Sequence, residues 1–251
     1  MTLDLDPRRR AILAELKLPV FEPLARVAVV SAPVAKVAPA PVPGRNPALQ
    51  PRATGVELME WDALAQAVAA CRACKLCAGR TNTVFGVGDR HANWLVVGEA
   101  PGEQEDLKGE PFVGPAGKLL DNMLKALGLD RRNKVYIANV LKCRPPGNRN
   151  PEPDEVAQCE PFLRRQVQLL QPKIILAMGR FAVQSLLATG EPIGKLRGRV
   201  HQYQGVPVVV TYHPAYLLRN LADKSKAWAD LCLAREIVAQ GAGAASLGNG
   251  E

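Results

Sequence analysis

Four short apolar runs constrain this chain more than any other feature: Trp94-Leu-Val-Val, Val135-Tyr-Ile-Ala-Asn-Val, Lys173-Ile-Ile-Leu-Ala-Met and Pro207-Val-Val-Val-Thr-Tyr. Short stretches that are apolar at consecutive positions read as strands buried on both faces. Between them, apolar residues recur at helical spacing: Leu119, Leu120, Met123, Leu124 and Leu127 in 117–127, with similar patterns in 154–170 and 180–187. This alternation predicts a three-layer α/β/α sandwich around a central, mainly parallel four-stranded sheet. In such a fold chemistry gathers beyond the carboxyl ends of the strands. Each run here leads into Gly, Pro, Asn or His, so the unusual residues fall where the fold would use them.

At 251 residues, 47% of them hydrophobic, the chain suffices for one domain with an appendage. Residues 6–18 carry Ile12, Leu13, Leu16 and Leu18 among charges and suit a short amphipathic helix, while the repeated prolines of 31–44 favour an extended, solvated spacer. The expected organisation is a terminal helix and Ala/Pro-rich tether over 1–55, a folded domain over 56–240 opening with a helix at 58–70, and a flexible tail over 241–251. The tether is either dispensable or a docking arm for a partner. Acids precede the basic residues at the N-terminus, and no run resembles a secretory signal or could cross a bilayer, so a cytoplasmic protein without a membrane partner is expected. A net charge of +8 and a pI near 9.3 favour a polyanionic partner, nucleic acid or an anionic surface.

Three thiols lie close together at Cys71, Cys74 and Cys77, and Cys143 and Cys159 add two more. In a reducing compartment such clustering points to a four-thiolate site for zinc or for an iron–sulfur cluster, and the spacing alone does not choose between them. Cys232, isolated in a helical stretch, reads as a packing residue. After the first run comes Gly98-Glu-Ala-Pro-Gly-Glu-Gln-Glu-Asp106, which lacks both the P-loop and the dinucleotide fingerprint. It is either a polar strand-to-helix loop or a loop that brings amides to a ligand while its acids orient water or read polar edges. The fourth run ends in His213-Pro, a histidine placed to donate to a developing anion or else to serve structure. His91 and His201 read as surface or packing residues.

Taken in order, the cysteine pair, Gly98-Glu-Ala-Pro-Gly with Glu105-Asp106, Pro111-Phe-Val-Gly, Asn139-Val-Leu-Lys-Cys-Arg-Pro-Pro and His213-Pro closely resemble the family 4 uracil-DNA glycosylases, over about residues 71–239. The resemblance implies an enzyme that flips uracil out of single- or double-stranded DNA and hydrolyses its N-glycosidic bond, starting base excision repair. It implies a [4Fe–4S] cluster on Cys71, Cys74, Cys143 and Cys159, with Cys77 a nearby non-ligand. Phe112 would stack on uracil, Asn139 would bind N3–H and O4, and Glu105 would crowd C5 against thymine. His213 would donate to O2 beside the amides of Glu99 and Ala100, with Glu99 placing water or the pocket backbone. Ala100 stands where many related glycosylases carry a water-activating carboxylate, which shifts the burden to leaving-group stabilisation. No histidine lies between Glu99 and Leu127 to trap DNA covalently, so hydrolysis is expected. DNA contacts are expected from Lys142, Arg144, Arg149, Arg219, Lys224 and Lys226, and Tyr216, Leu217 and Leu218 either wedge the duplex or pack beneath their loop. The implied protein is monomeric, with a repair or replication partner for the tether. A DNA-binding accessory protein without turnover and a zinc-stabilised nucleic-acid module are the rival expectations.

Overall fold

In a computed structural model that describes residues 49–246, the four apolar runs form the centre of one sheet. They are β2 (Trp94–Gly98), β3 (Val135–Asn139), β4 (Ile174–Met178) and β6 (Val206–Thr211), and they pair in parallel in the order β3-β2-β4-β6. Successive residues face opposite layers, as the pleat requires. Leu95, Val97, Tyr136, Ala138, Ile175, Ala177, Val208 and Val210 meet Leu163 and Val167 of α4 (Pro153–Leu170) and Ala182, Val183 and Leu186 of α5 (Arg180–Leu187). Trp94, Val96, Val135, Ile137, Ile174, Leu176, Met178 and Val209 meet Leu120 and Leu124 of α3 (Pro115–Ala126) and Leu231 and Ala234 of α8 (Lys224–Ser246). Both faces are therefore dry, which is why the runs are apolar without alternation. Each fully buried aliphatic side chain contributes about 1.5–3 kcal/mol, so the two layers, rather than strand propensity, hold the sheet.

The sheet has six strands, two more than expected. β1 (Val87–Gly88) and β5 (Val200–Tyr203), the latter preceded by the one-turn helix α6 (Ile193–Leu196), are antiparallel additions at the two edges. β1 is too short to leave a pattern, and β5 alternates exposed and half-buried residues because its outer side faces solvent. The segment 103–108, expected as loop, is a helix, α2 (Glu103–Lys108). Its first turn holds Glu103, Glu105 and Asp106, acids that complement the helix N-terminus, and six residues are too few to display an apolar stripe.

The first helix, α1 (Trp61–Ala70), follows a single turn at Val56–Leu58. Its Leu64 and Val68 pack with Val56 and Phe162, fastening it to α4. The tether was expected to end at 55, but the Gln50 amide donates to the Arg72 carbonyl and Arg52 donates to the Gln158 carbonyl, so the body already includes these residues. At the other end α8 runs through Ser246, six residues past the expected boundary at 240. The expected helix at 6–18, the spacer at 31–44 and residues 247–251 lie outside the described residues. No described helix is long and apolar enough to cross a membrane.

Candidate active site and cysteine cluster

Parallel pairing brings the carboxyl ends of β2, β3, β4 and β6 to one edge, and the residues that follow them converge on a cavity of about 790 Å³. Glu99, Ala100, Glu105, Phe112, Asn139 and His213 all line it. Six residues that the sequence scatters over more than a hundred positions thus share one space.

Asn139 closes β3 opposite Gly98, the last residue of β2. A β-carbon on Gly98 would stand 2.4 Å from the Asn139 Oδ1 and 2.6 Å from the Phe112 Cζ, so glycine is what lets these two side chains close over the strand end. Asn139 is buried, and its Oδ1 has no hydrogen-bond partner. A buried acceptor without a donor is costly in a finished structure.

Phe112 stacks on His213, ring centroids 5.4 Å apart with 25° between planes. Its backbone is left-handed, φ 54°, unusual for a bulky residue. Arg131 donates to its carbonyl at 2.9 Å, and a β-carbon on Gly117 would lie 1.7 Å from that same oxygen, so the conformation is fixed from two sides. Glu105 supports the same loop. Its Oε1 accepts from the amides of Val113 and Gly114 (2.9 and 3.2 Å) and its Oε2 from Gly102 (3.1 Å). The carboxylate expected against the C5 side of a base is therefore occupied in shaping the loop that presents Phe112.

His213 caps α7 (Pro214–Leu217): its Nδ1 accepts from the Ala215 amide at 3.1 Å, which leaves the proton of the neutral ring on Nε2. Burial pulls its pKa down to about 4, against the pull of Glu105 and with the help of Arg219. At neutral pH the ring is an uncharged donor. Glu99 shifts the other way, raised by burial to about 7 with Arg180 opposing. The amides of Glu99 and Ala100 meet no protein acceptor among the described residues.

Several expected DNA contacts are corrected. Lys142 is fully buried, its Nζ donating to the carbonyls of Phe85 (3.3 Å) and Asn139 (2.8 Å) and to the Oε1 of Gln166 (2.7 Å), so it cannot reach a phosphate. Arg149 lines the cavity but is committed to the buried carboxylate of Glu155, donating to its Oε2 at 2.9 Å. Arg144 donates to Asn148 at 2.7 Å, and Lys226 pairs with Asp223 at 2.8 Å. Arg219 is exposed at the cavity mouth and makes no ion pair among the described residues, and Lys224 is also exposed. Of the proposed wedge, Leu217 is buried and the Tyr216 hydroxyl donates to Asp223 while its ring stacks on Tyr212; Leu218 alone is presented outward, 43% exposed.

Cys71 ends α1, Cys74 begins the turn Lys75–Ala78, and Cys74, Cys143 and Cys159 pack together with Leu76 and Leu141. Burial pushes the thiols of Cys143 and Cys159 up to about 11 and 12, and the neighbouring cysteines add to both shifts. Donors already point at the sulfurs: Arg80 reaches the Cys143 Sγ at 3.1 Å, and the amides of Lys142 and Leu76 serve Cys159 and Cys74. Clustered thiols already met by N–H donors, which would steady them once a metal had displaced their protons, are a donor set that suits an iron–sulfur cluster. No three Cys, His, Asp or Glu among the described residues converge closely enough for a single metal ion. Cys77 is half-buried beside Cys74, and Cys232 is half-buried on α8.

Sequence reasoning missed Arg180, Arg131, Arg80 and Gln166. Arg180 directly follows β4 and Gly179, so the strand-end rule could have found it. The others are brought in by tertiary contacts that leave no local signal.

The family described as the uracil DNA glycosylase superfamily matches residues 85–232, more than half of the chain. Among curated relatives, the type-4 uracil-DNA glycosylase of Archaeoglobus fulgidus is 47% identical over 62% of this chain and 82% of its own length. Those of Sulfurisphaera tokodaii (49% identical; 61% and 73%) and Saccharolobus solfataricus (45%; 63% and 77%) are similarly close.

Proposed function

The chain belongs to the uracil DNA glycosylase superfamily, among the type-4 uracil-DNA glycosylases, and from that premise we propose how its cavity removes uracil from DNA. It is a hydrolase of N-glycosyl bonds that acts in DNA repair. The observation that carries the residue-level reading is the unpartnered, buried Oδ1 of Asn139 in a cavity it shares with a neutral His213.

In this reading Asn139 Oδ1 accepts uracil N3–H and its Nδ2 donates to O4. Cytosine offers an acceptor at N3 and a donor at N4, so it would leave both ends of the amide unsatisfied, a buried mismatch that discriminates strongly. Phe112 carries the flipped base on its ring. The Nε2–H of His213 and the amides of Glu99 and Ala100 donate to the charge that builds on the departing uracil. Two carboxylates line the cavity, and Glu105 is engaged, so Glu99 is the group left to face the sugar or position water. With Ala100 lacking a carboxylate, leaving-group stabilisation leads and water adds to the dissociated sugar.

Cys71, Cys74, Cys143 and Cys159 would hold a [4Fe–4S] cluster, which when bound supplies a cross-link between the end of α1, the Asn139–Cys143 segment and α4. Arg219 and Lys224 contact the DNA backbone, and Leu218 enters the gap left by the base. Uracil-bearing DNA, single- or double-stranded, is the substrate of a monomer in the cytoplasm, and the N-terminal tether serves a repair or replication partner.

Uracil release from single- and double-stranded DNA, read as alkali-labile abasic sites, tests the reading. His213→Ala is expected to lower the single-turnover rate by about 10²–10³. Tight binding without base release by the unaltered protein would replace it with a non-catalytic role.

A further inference from the structure

The least expected feature of the site is the buried side-chain nitrogen of Lys142. It lies in a five-residue segment with Asn139 at one end and Cys143 at the other. The segment leaves the sheet under close control: the amide of Val140 donates to the Gly98 carbonyl and that of Leu141 to the Glu99 carbonyl, both at 3.0 Å. Lys142 then folds back, and its Nζ takes the carbonyl of Asn139 itself at 2.8 Å. Its other acceptors come from two different parts of the chain, Phe85 from the loop before β1 and Gln166 from α4. Gln166 in turn donates to the same Phe85 carbonyl at 2.9 Å.

Three acceptors match the three N–H bonds of an ammonium, so Nζ is a fixed point among three segments. A side chain needed only to fill this space would be apolar and would avoid the cost of desolvating a charge. What an ammonium does here, and a methionine could not, is pin three oxygens at once, one of them on the residue whose side chain faces the cavity.

We propose that Lys142 is a positioning residue for base recognition: it holds the backbone at Asn139, and with it the angle at which the Asn139 amide meets the edge of the base. This rests on the reading that Asn139 reads uracil. Loss of the Lys142 nitrogen leaves the strand ladder and the Val140–Gly98 bond in place but removes the second hold on the Asn139 peptide, so its tilt, and with it the side-chain amide, samples orientations that fit uracil poorly. DNA contacts made by Arg219 and Lys224, on other elements, are untouched.

The test compares the affinity of the full-length, cluster-loaded protein for DNA bearing a non-cleavable 2′-fluoro-deoxyuridine analogue with that for the same DNA bearing an abasic tetrahydrofuran. The ratio reports base reading separately from backbone contact. Lys142→Met is expected to lower the ratio about tenfold with abasic-DNA affinity held within about twofold, and Asn139→Ala to lower it at least as far. Gln166→Met, which removes one acceptor and lies away from the cysteines in sequence, is expected to lower it about threefold and decides the matter if Lys142→Met does not fold. An unchanged ratio in the folded lysine and glutamine variants, with the asparagine variant impaired, overturns the role of Lys142 alone. An unchanged ratio in Asn139→Ala overturns the reading of Asn139 and this proposal with it. A parallel fall for both DNAs, tracking a drop in melting temperature, makes Lys142 merely structural and overturns the proposal too.

Discussion

Glu99 and His213 line one cavity with opposite shifts, the first raised to about 7 and the second lowered to about 4, both chiefly by burial. If Glu99 works as the carboxylate, kcat/KM should climb as pH rises through about 7, and Glu99→Gln should flatten that limb. Stability behaves differently. Between 4.5 and about 7 the folded state holds the Glu99 proton more tightly, so its contribution falls as pH rises, whereas the His213 contribution is full above 6.5 and is lost as pH falls toward about 4. The two slopes oppose each other between 4.5 and 6.5, and Glu99→Gln removes one of them. Its melting temperature should therefore drop more steeply on acidification than that of the unaltered protein, as scanning calorimetry across pH would show. Gly98→Ala makes a steric case at the same scale. Its β-carbon would collide with Asn139 and Phe112, side chains that can shift, so the fold should survive while uracil release falls by about 100-fold.

Among the elements, α4 best illustrates what a local reading overlooks. Its extent was legible from its apolar spacing, yet Glu155 in its first turn is buried, and Arg149 from the preceding loop is its partner. Burial alone would raise the Glu155 carboxyl; the Arg149 hydrogen bonds and the Glu152 amide outweigh it and leave the pKa below the usual value. Arg149→Met should thus lower the melting temperature, most clearly above the ordinary carboxylate range, and leave the salt dependence of DNA binding as it was. A flatter salt dependence in that variant would return Arg149 to the DNA-contacting set. The helix α2 and the edge strands β1 and β5 escaped the sequence for a related reason: short or half-exposed elements are held by neighbours and carry little periodicity of their own.

For the molecule as a whole, a net charge of +8 predicts affinity for DNA that weakens with salt. Arg219→Ala should make the plot of log affinity against log salt shallower by about 0.9 on duplex and about 0.7 on single strands, one phosphate contact. The sequence by itself determined the layered α/β architecture, because strands buried on both faces must be apolar at every position, as 94–97 and 174–178 are. It also determined which residue types meet at the strand ends, since parallel pairing sends Gly98, Asn139 and the approach to His213 to one edge. Tertiary structure alone decided which charges are free to act. In a linear sequence Lys142 and Arg149 read as DNA-facing and Glu105 as turned toward the base, and each is instead claimed by groups that folding brings to it: Lys142 by Gln166 and the Asn139 carbonyl, Arg149 by Glu155, and Glu105 by the amides of Gly102, Val113 and Gly114. A charge is spoken for by whatever lies within hydrogen-bond reach, and that neighbourhood exists only once the chain has folded.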